Sequence, residues 1–544
     1  MGPSASDYAR ARAAFDYFLV GEDTCVAFME NAGGSQVPRC VVDAISNYFV
    51  YNYAQLGAGY SRSERATSIV GDAHSWLEVF MNTQGQGQVV LGSSTSQLAF
   101  NLASAFADCL GPGDSIVLQE ASHESVLGPW VRLANRNGFK LHWWRADRRS
   151  GASHLADLEA LLGPATRLVV VTHVSNLMGE ILDLTSVVKL VRRRAPGAQV
   201  MADGVAFAPH RAINVFSWDV DWYLWSAYKV YGPHVGVMYG KRQAYDSLLS
   251  LGGQGPNFYF VPASDLTYKF ELGGVSHEGC AGLLALQDYL LHLLGTSPTS
   301  PETPPQHHHQ QELEQNKDQN QDQDPPQQLQ PGCLGQSDHR PQETEGGIIS
   351  IFPPLAPPLG AASAGKIRMS RSQVEAAFTV MTTMEKPLQE QLLSYLASHP
   401  AVRLVGSANA DPAVRVPTIS FVHRCRSSQR VARELQAAGF AVRYGHMYAR
   451  RLVEALSAEG GLIAEEAAQR QAAEGEDPVA AAAATVAGAA CADGGDTVAS
   501  VATGSSAVFD EERAINEGVV RISLLHYNSP KEVSQLIEAL GNIL

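Results

Sequence analysis

Residues 201–240 read MADGVAFAPHRAINVFSWDVDWYLWSAYKVYGPHVGVMYG. With the two residues before it, the stretch holds three short apolar runs: QVMADG (199–204), DWYLWS (221–226) and VGVMYG (235–240). Continuous apolar runs of this length are typical of strands buried on both faces of a sheet. Asp203 closes the first run, and Lys229 follows the second. The sequence therefore predicts buried strands with an acid and a lysine at their ends.

Four similar runs precede this stretch and extend the predicted sheet. They are QVVLG (88–92), SIVLQE (115–120), KLHWW (140–144) and RLVVVTHV (167–174). Helical patterns separate the runs, and such alternation is typical of an α/β fold with a mainly parallel sheet. Ligands of such sheets gather at the carboxyl ends of the strands, so the polar residues after each run are the candidates for a site.

A helix N-terminus suited to an anion follows the first of these runs. The sequence after QVVLG is GSSTSQLAFNLASAFADCLGPGD, a Gly/Ser/Thr turn that leads into an Ala-rich helix. Free backbone N–H groups and the positive end of the helix dipole favour a phosphate there, and Ser94, Thr95 and Ser96 would add hydroxyl donors. Helix capping without a ligand is the alternative.

Motifs along the chain resemble those of the class V aminotransferases, and APHR (208–211) and SAYKVYGPHVG (226–236) resemble most closely the cysteine desulfurase-like branch. Four further matches follow the same order: ASHESVLGPW (121–130), VTHVSNLMGEILDL (171–184), GHMYARRL (445–452) and GVVRISLLHYN (518–528). The resemblance implies the pyridoxal-phosphate (PLP)-dependent transferase fold type I. This α/β fold has a large domain with a mainly parallel seven-stranded sheet and a smaller α+β C-terminal domain.

The resemblance also implies PLP as the cofactor and assigns residues to it. Lys229 matches the lysine that forms the Schiff base, and Asp203 matches the acid that pairs with the pyridine nitrogen. His123 matches the imidazole that stacks on the ring and moves protons. Asn176 matches an amide near the phenolic oxygen and the substrate, and Ser226 joins Ser94, Thr95 and Ser96 as a phosphate ligand. The alternatives are a solvated lysine and ordinary turn formers at strand ends.

Arg521 matches the arginine that holds the carboxylate of an amino-acid substrate in this family. Its planar guanidinium is suited to two parallel charge-assisted hydrogen bonds. Because GVVRISLLHYN places it in an apolar strand pattern, where an unpaired charge is costly, an anionic partner is expected. A surface arginine beside a strand is the alternative.

Three positions depart from the family pattern. Tyr448 stands where related desulfurases carry a nucleophilic cysteine, and no cysteine occurs between Cys425 and Cys491. Attack on a substrate sulfur needs an accessible thiolate, so persulfide chemistry is in doubt, and whether Cys280 or Cys425 replaces the thiol stays open. Ala206 replaces a Gln or His, and Gly274 replaces a Thr in a loop that implies a homodimer.

Composition divides the 544-residue chain into folded and low-complexity parts. We predict an N-terminal segment (1–24), a large PLP-binding domain (25–296) and a small C-terminal domain (367–544). A Gln/Pro-rich insertion (297–366) and an Ala/Gly-rich one (459–506) lack the apolar periodicity of a core and are predicted to be disordered. The histidines at 307–309 lie in the first tract, and no metal is assigned to them.

Charge and cysteine usage exclude several classes of protein. With 40 basic and 55 acidic residues the net charge is −15, and no basic run favours nucleic acid. Seven scattered cysteines indicate reduced thiols and a cytoplasmic protein. No apolar run is long enough for a membrane span.

The function predicted is that of a PLP enzyme acting on an amino acid, by lyase or transaminase chemistry without the usual loop cysteine. Racemisation stays open as another route. The alternatives are a non-catalytic PLP-binding or regulatory protein on the same fold, and a scaffold without cofactor.

Overall fold

A computed structural model of the chain describes residues 2–18, 27–295, 367–466 and 511–544. Its strands are β1 (Ala27–Phe28), β2 (Gly87–Gly92), β3 (Ser115–Gln119), β4 (Lys140–Trp144), β5 (Thr166–Thr172), β6 (Gln199–Asp203), β7 (Trp222–Ser226), β8 (Gly236–Lys241), β9 (Val402–Val405), β10 (Thr418–His423), β11 (Phe440–Ala441), β12 (Arg443–Gly445) and β13 (Val519–Ser523).

The helices surround and connect these strands. They are α1 (Ala5–Arg12), α2 (Arg39–Asn47), α3 (Ser61–Met81), α4 (Thr95–Ala105), α5 (Glu124–Asn137), α6 (Leu155–Leu161), α7 (Leu184–Arg194), α8 (Val215–Trp218), α9 (Arg242–Ser250), α10 (Leu266–Phe270), α11 (His277–Leu293), α12 (Arg371–Ser398), α13 (Ser428–Ala437), α14 (Arg450–Ser457), α15 (Glu511–Glu517) and α16 (Pro530–Ile543). Within the described ranges, no helix combines the length and apolar character needed to cross a bilayer.

The large sheet has seven strands in the order β2-β8-β7-β6-β5-β3-β4. Only β8 is antiparallel to its neighbours, β2 and β7. The sheet is buried on both faces, as the apolar runs predict: Val169 packs in the core that includes α3 and α7, whereas Val170 packs in the one that includes α4 and α5. The predicted α/β fold with a mainly parallel seven-stranded sheet is confirmed.

A second, antiparallel sheet has the strand order β12-β13-β10-β9. The N-terminal strand β1 pairs in parallel with β11, and Glu30 just beyond β1 forms a bridge with Ser523 of β13. Residues 27–30, which the sequence assigns to the large domain, therefore pack with the strands of the smaller one.

The chain on either side of the first predicted insertion is attached to α11. That helix ends at Leu293, and the backbone N–H of Arg368 donates to Gln287 Oε1 (2.7 Å) on the same helix. Residues 297–366 lie outside the described residues. In the second predicted insertion, Leu462 and Ile463 are buried against α14. The first residues of this insertion therefore belong to the folded part. The composition of the whole tract did not predict this, because only these few residues supply apolar side chains to the core.

Candidate active site

The carboxyl ends of β2, β3, β5, β6 and β7 bring polar side chains into one cleft. Its lining contains all eight residues predicted to hold the cofactor: Ser94, Thr95, Ser96, His123, Asn176, Asp203, Ser226 and Lys229. It also contains Ser125, Thr172, Val174, Val205, Ala206 and Tyr228, which sequence reasoning did not assign to the cofactor. These residues meet because parallel strands end at the same edge of a sheet.

Lys229 ends a short 3₁₀ turn, Ala227–Lys229, that directly follows β7. The side chain is buried, and its Nζ lies 5.9 Å from the ring centroid of Tyr228. No carboxylate of the described residues forms an ion pair with it. Burial, with a contribution from the nearby Arg521, lowers the pKa of Lys229 to about 8, although Asp203 and Glu30 oppose the shift. The amine is therefore deprotonated far more readily than an ordinary lysine.

Asp203 is the last residue of β6 and is buried. Its Oδ1 accepts a hydrogen bond from the backbone N–H of Val205 at 2.9 Å. Burial raises the pKa of this carboxyl, and the Val205 hydrogen bond and the charge of Lys229 only partly offset that effect. A buried carboxylate of this kind is stabilised by a cation or an N–H group placed in the cleft.

His123 caps the N-terminus of α5. Its Nδ1 accepts from the backbone N–H of Ser125 at 3.1 Å, and burial, Lys229 and Arg521 lower the pKa of the imidazole to about 4. The ring is therefore neutral at physiological pH and carries its proton on Nε2. The ring of Tyr448 lies beside it, with 5.3 Å between centroids and a 43° tilt.

The N-terminus of α4 faces the same cleft. Ser94 Oγ accepts from the backbone N–H of Gln97 at 3.1 Å, so the capping alternative is realised at this residue. Thr95 Oγ1 donates to the Trp225 carbonyl oxygen and lies 2.7 Å from Ser226 Oγ. Because the Thr95 hydroxyl donates its proton to the Trp225 carbonyl oxygen, the Ser226 hydroxyl is the donor in its hydrogen bond with Thr95. The donors left for the cleft are the hydroxyl groups of Ser94 and Ser96 and the backbone N–H groups of Thr95 and Ser96, because the N–H groups of Gln97 and Leu98 are donated to Ser94.

Arg521 lies on β13 at the small-domain side and is 2% exposed. Its Nη1 donates to the Asn176 carbonyl oxygen (3.1 Å), and its Nη2 donates to Glu30 Oε1 (3.1 Å). Burial lowers the pKa of the guanidinium to about 10, and Glu30 opposes the shift. The anionic partner that the apolar strand pattern demands is therefore present in the protein itself, as Glu30. The sequence analysis did not identify Glu30 as a site residue. The feature that could have indicated it is ENAGG (30–34), a glycine-rich turn after an apolar run.

Asn176 joins the large domain to the loop that carries Tyr448. Its Nδ2 donates to the Met447 carbonyl oxygen (2.9 Å), and the backbone N–H of Glu124 donates to the Tyr448 carbonyl oxygen (2.9 Å). Met447 and Tyr448 both have positive φ angles, 42° and 62°. Two successive non-glycine residues in this region are costly, and they persist here because these contacts hold the loop. The side chain of Tyr448 is 58% exposed at the edge of the cleft.

Neither Cys280 nor Cys425 lines the cleft. Cys280 is buried within α11, and burial raises the pKa of its thiol well above the usual value. Cys425 is half-buried and disulfide-bonded, which corrects the prediction of seven reduced thiols. Neither side chain presents an accessible thiolate to the site.

A buried lysine after a parallel strand, an acid at the end of the neighbouring strand and a helix N-terminus beside both define a fold type I PLP-dependent protein. The family profile "Aminotransferase class-V" matches residues 27–331, and the chain belongs to this family.

Individual relatives agree with this assignment. The chain is 29% identical to an aminotransferase-like protein of Gibberella zeae over 95% of this chain and 94% of that protein. It is 30% identical to a cysteine desulfurase of Dickeya dadantii, over 49% of this chain and 66% of that enzyme. Among solved structures, an apo cysteine desulfurase from Thermococcus onnurineus has a TM-score of 0.64 at 19% identity, covering 100% of this chain and 99% of that one. At that identity the likeness shows the fold alone.

Pyridoxal 5′-phosphate is the cofactor of this family, and the cleft fits it. Lys229 offers a buried amine with no carboxylate partner in the described ranges. The backbone N–H groups of Thr95 and Ser96 have no acceptor within the described residues, and the buried carboxyl of Asp203 lines the same cleft. An amine, an anion-binding helix end and an acid are the groups that an aldehyde, a phosphate and a pyridine nitrogen require.

Proposed function

We propose that the chain is a PLP-dependent enzyme that acts on an amino acid through Lys229, by lyase or transaminase chemistry, without a loop thiol. The observation that carries the proposal is that Lys229, Asp203, His123 and the N-terminus of α4 share one cleft. Arg521, from the other sheet, lies close enough to Lys229 to shift its pKa. Each group has a distinct task in amino-acid chemistry.

When bound, the cofactor supplies an aldehyde carbon that forms a Schiff base with a primary amine, and a pyridine ring that accepts an electron pair from the substrate. Asp203 holds a proton at the pyridine nitrogen. Lys229, with its lowered pKa, accepts and returns a proton at Nζ near neutral pH. Neutral His123 offers a flat ring face and an Nε2 proton. Arg521 orients the substrate by its carboxylate, which aligns the remaining bonds of the substrate's α carbon.

Tyr448 determines which chemistry we exclude. Its side chain is a phenol, and a phenolic oxygen does not replace the soft sulfur nucleophile of a cysteine thiolate. Elimination or amino-group transfer requires no protein thiol. We therefore propose weak or absent persulfide formation from L-cysteine.

The test supplies holoenzyme with L-cysteine in the absence of reductant and follows alanine, sulfide and keto acid. Each cysteine-containing peptide is searched for added sulfur by mass spectrometry. We expect little alanine and no persulfide in the wild type and in Tyr448→Phe, and added sulfur on the introduced thiol of Tyr448→Cys. Rapid alanine formation with a persulfide on Cys280 or any other native cysteine would contradict the proposal.

We further propose that the enzyme is a homodimer. A group of half-exposed or exposed apolar side chains supports this: Val42, Phe49, Val50, Tyr51, Tyr53 and Tyr60. The segment that carries them packs against α11, where Tyr48 contacts His277, and the loop with Gly274 directly precedes that helix. The apolar group therefore lies on elements that pack against the helix that follows the loop assigned by the family resemblance to the subunit interface. A contiguous apolar surface of this kind is typical of an interface between chains.

A further inference from the structure

Glu30 links two arginines at the edge of the cleft. Its Oε1 accepts from Arg521 Nη2 at 3.1 Å and from Arg443 Nη1 at 3.2 Å. Arg521 and Arg443 are directly paired residues of the neighbouring antiparallel strands β13 and β12. One carboxylate oxygen therefore holds two guanidinium groups on the same side of the sheet.

The backbone near Glu30 is shaped to allow this position. A Cβ atom on Gly33 would lie 2.2 Å from Glu30 Oε1, so the carboxylate would have to shift from this position if residue 33 carried a side chain. Glu30 also lines a second cavity, together with Gly33, Gly34 and Tyr228, and Tyr228 lines the cleft as well. The carboxylate therefore has space in which to move when another anion approaches Arg521.

The balance of charge has a consequence for the substrate. The two guanidinium groups and the one carboxylate have a net charge of +1. A single substrate carboxylate bound to Arg521 neutralises this charge, while Glu30 remains paired with Arg443. A second carboxylate on the substrate would meet Glu30 with no free guanidinium to pair with, and like charges placed together in a buried site are costly.

We propose that Glu30 is a specificity-determining residue that limits the site to amino acids with a single carboxylate. This inference rests on the proposed function and names the substrate class of the same site. The influence of Glu30 on the pKa of Lys229 is consistent with its closeness to the reacting amine.

The test compares L-asparagine with L-aspartate, which differ by one charge at nearly equal size. Both are titrated into holoenzyme, and dissociation constants are read from the absorbance change of the bound cofactor. We expect the wild type and Glu30→Asp to prefer asparagine. Glu30→Gln should shift the ratio of the two constants toward aspartate by about tenfold or more, because the like-charge contact is gone. Glu64→Gln, an exposed change on α3, is the matched control and should keep the wild-type ratio.

Arg443→Gln provides a second variant that does not depend on the folding of Glu30→Gln. Without Arg443, Glu30 has only Arg521 as a partner and competes with the substrate, so both amino acids should bind more weakly. An asparagine-to-aspartate ratio in Glu30→Gln within about twofold of the wild type would overturn the inference while leaving the proposed function intact. A holoenzyme whose spectrum responds to no amino acid would overturn both.

Discussion

Burial controls the protonation of the ionisable side chains in the cleft. The pKa of Lys229 is lowered to about 8 and that of His123 to about 4, whereas burial raises the pKa of Asp203. Each shift favours the neutral form of its group, as removal from water requires. The amine is therefore available as a base near neutral pH, the imidazole is neutral, and the acid gains stability when a cationic nitrogen lies beside it.

Substitution of Asp203 by asparagine tests the assigned role of the acid. Asp203→Asn should keep cofactor within a few-fold of the wild-type affinity but lose about 100-fold or more in turnover, because a neutral amide does not hold a proton at the pyridine nitrogen. Bound-cofactor absorbance and the rate with the best amino acid measure the two effects. Asp219→Asn, at an exposed position with positive φ, is the matched control. Turnover of Asp203→Asn equal to that of the control would reject the role.

Sequence reasoning found the residues that follow apolar runs but not those whose partners come from distant segments. Lys229, Asp203 and Ser94 follow strands that the runs identify, so all three were predicted to lie at one sheet edge. Glu30 reaches Arg521 only because β1 packs against β11 and the Glu30–Ser523 bridge forms, a pairing between segments nearly 500 residues apart. No local pattern carries that information, since β1 has only two residues.

At the scale of the elements, the junction between β8 and α4 shapes the anion-binding end of the cleft. Gly236 begins β8, and a Cβ atom there would lie 2.3 Å from the Ser94 carbonyl carbon and 2.5 Å from the Thr95 nitrogen. The helix N-terminus therefore approaches the strand more closely than any side chain would allow.

The apolar runs predicted all seven strands of the large sheet to within two residues at either end, because each run is continuous. The runs did not predict that β8 is antiparallel to its neighbours, because strand direction does not change the pattern of apolar residues.

Gly236→Ala should displace the first turn of α4 and raise the dissociation constant for PLP by about tenfold, the change that corresponds to an overpacking cost of about 1.4 kcal/mol. Equilibrium titration of apoenzyme with PLP measures this constant. Gly113→Ala is the control, since a Cβ atom there meets nothing within 4 Å. Equal affinity in the two variants would show that the N-terminus of α4 does not hold the phosphate.

At the scale of the whole molecule, the cleft lies at the carboxyl edge of the large sheet, and the segment 49–60 exposes aromatic side chains. The three-dimensional arrangement of that segment depends on its packing against α11. Sequence similarity implied a dimer through the loop at Gly274, but the aromatic surface itself follows no periodic pattern that sequence reasoning could use.

The wild-type protein should have twice the mass of one chain in light scattering coupled to size exclusion. Tyr51→Glu combined with Phe49→Glu should shift it toward the monomer, because two charges would be buried in the interface. Phe216→Glu changes a half-exposed phenylalanine on α8, outside the aromatic segment, and should leave the dimer intact. A wild-type monomer at micromolar concentration would contradict the proposed assembly.

Borohydride reduction of the holoenzyme tests whether Lys229 carries the cofactor. Holoenzyme is reduced with borohydride, digested and analysed by mass spectrometry for a peptide bearing a pyridoxyl group. We predict the modification on Lys229, and its loss, together with the cofactor absorbance, in a folded Lys229→Ala variant. A pyridoxyl group on a different lysine, or a reducible link that survives in Lys229→Ala, would contradict the account.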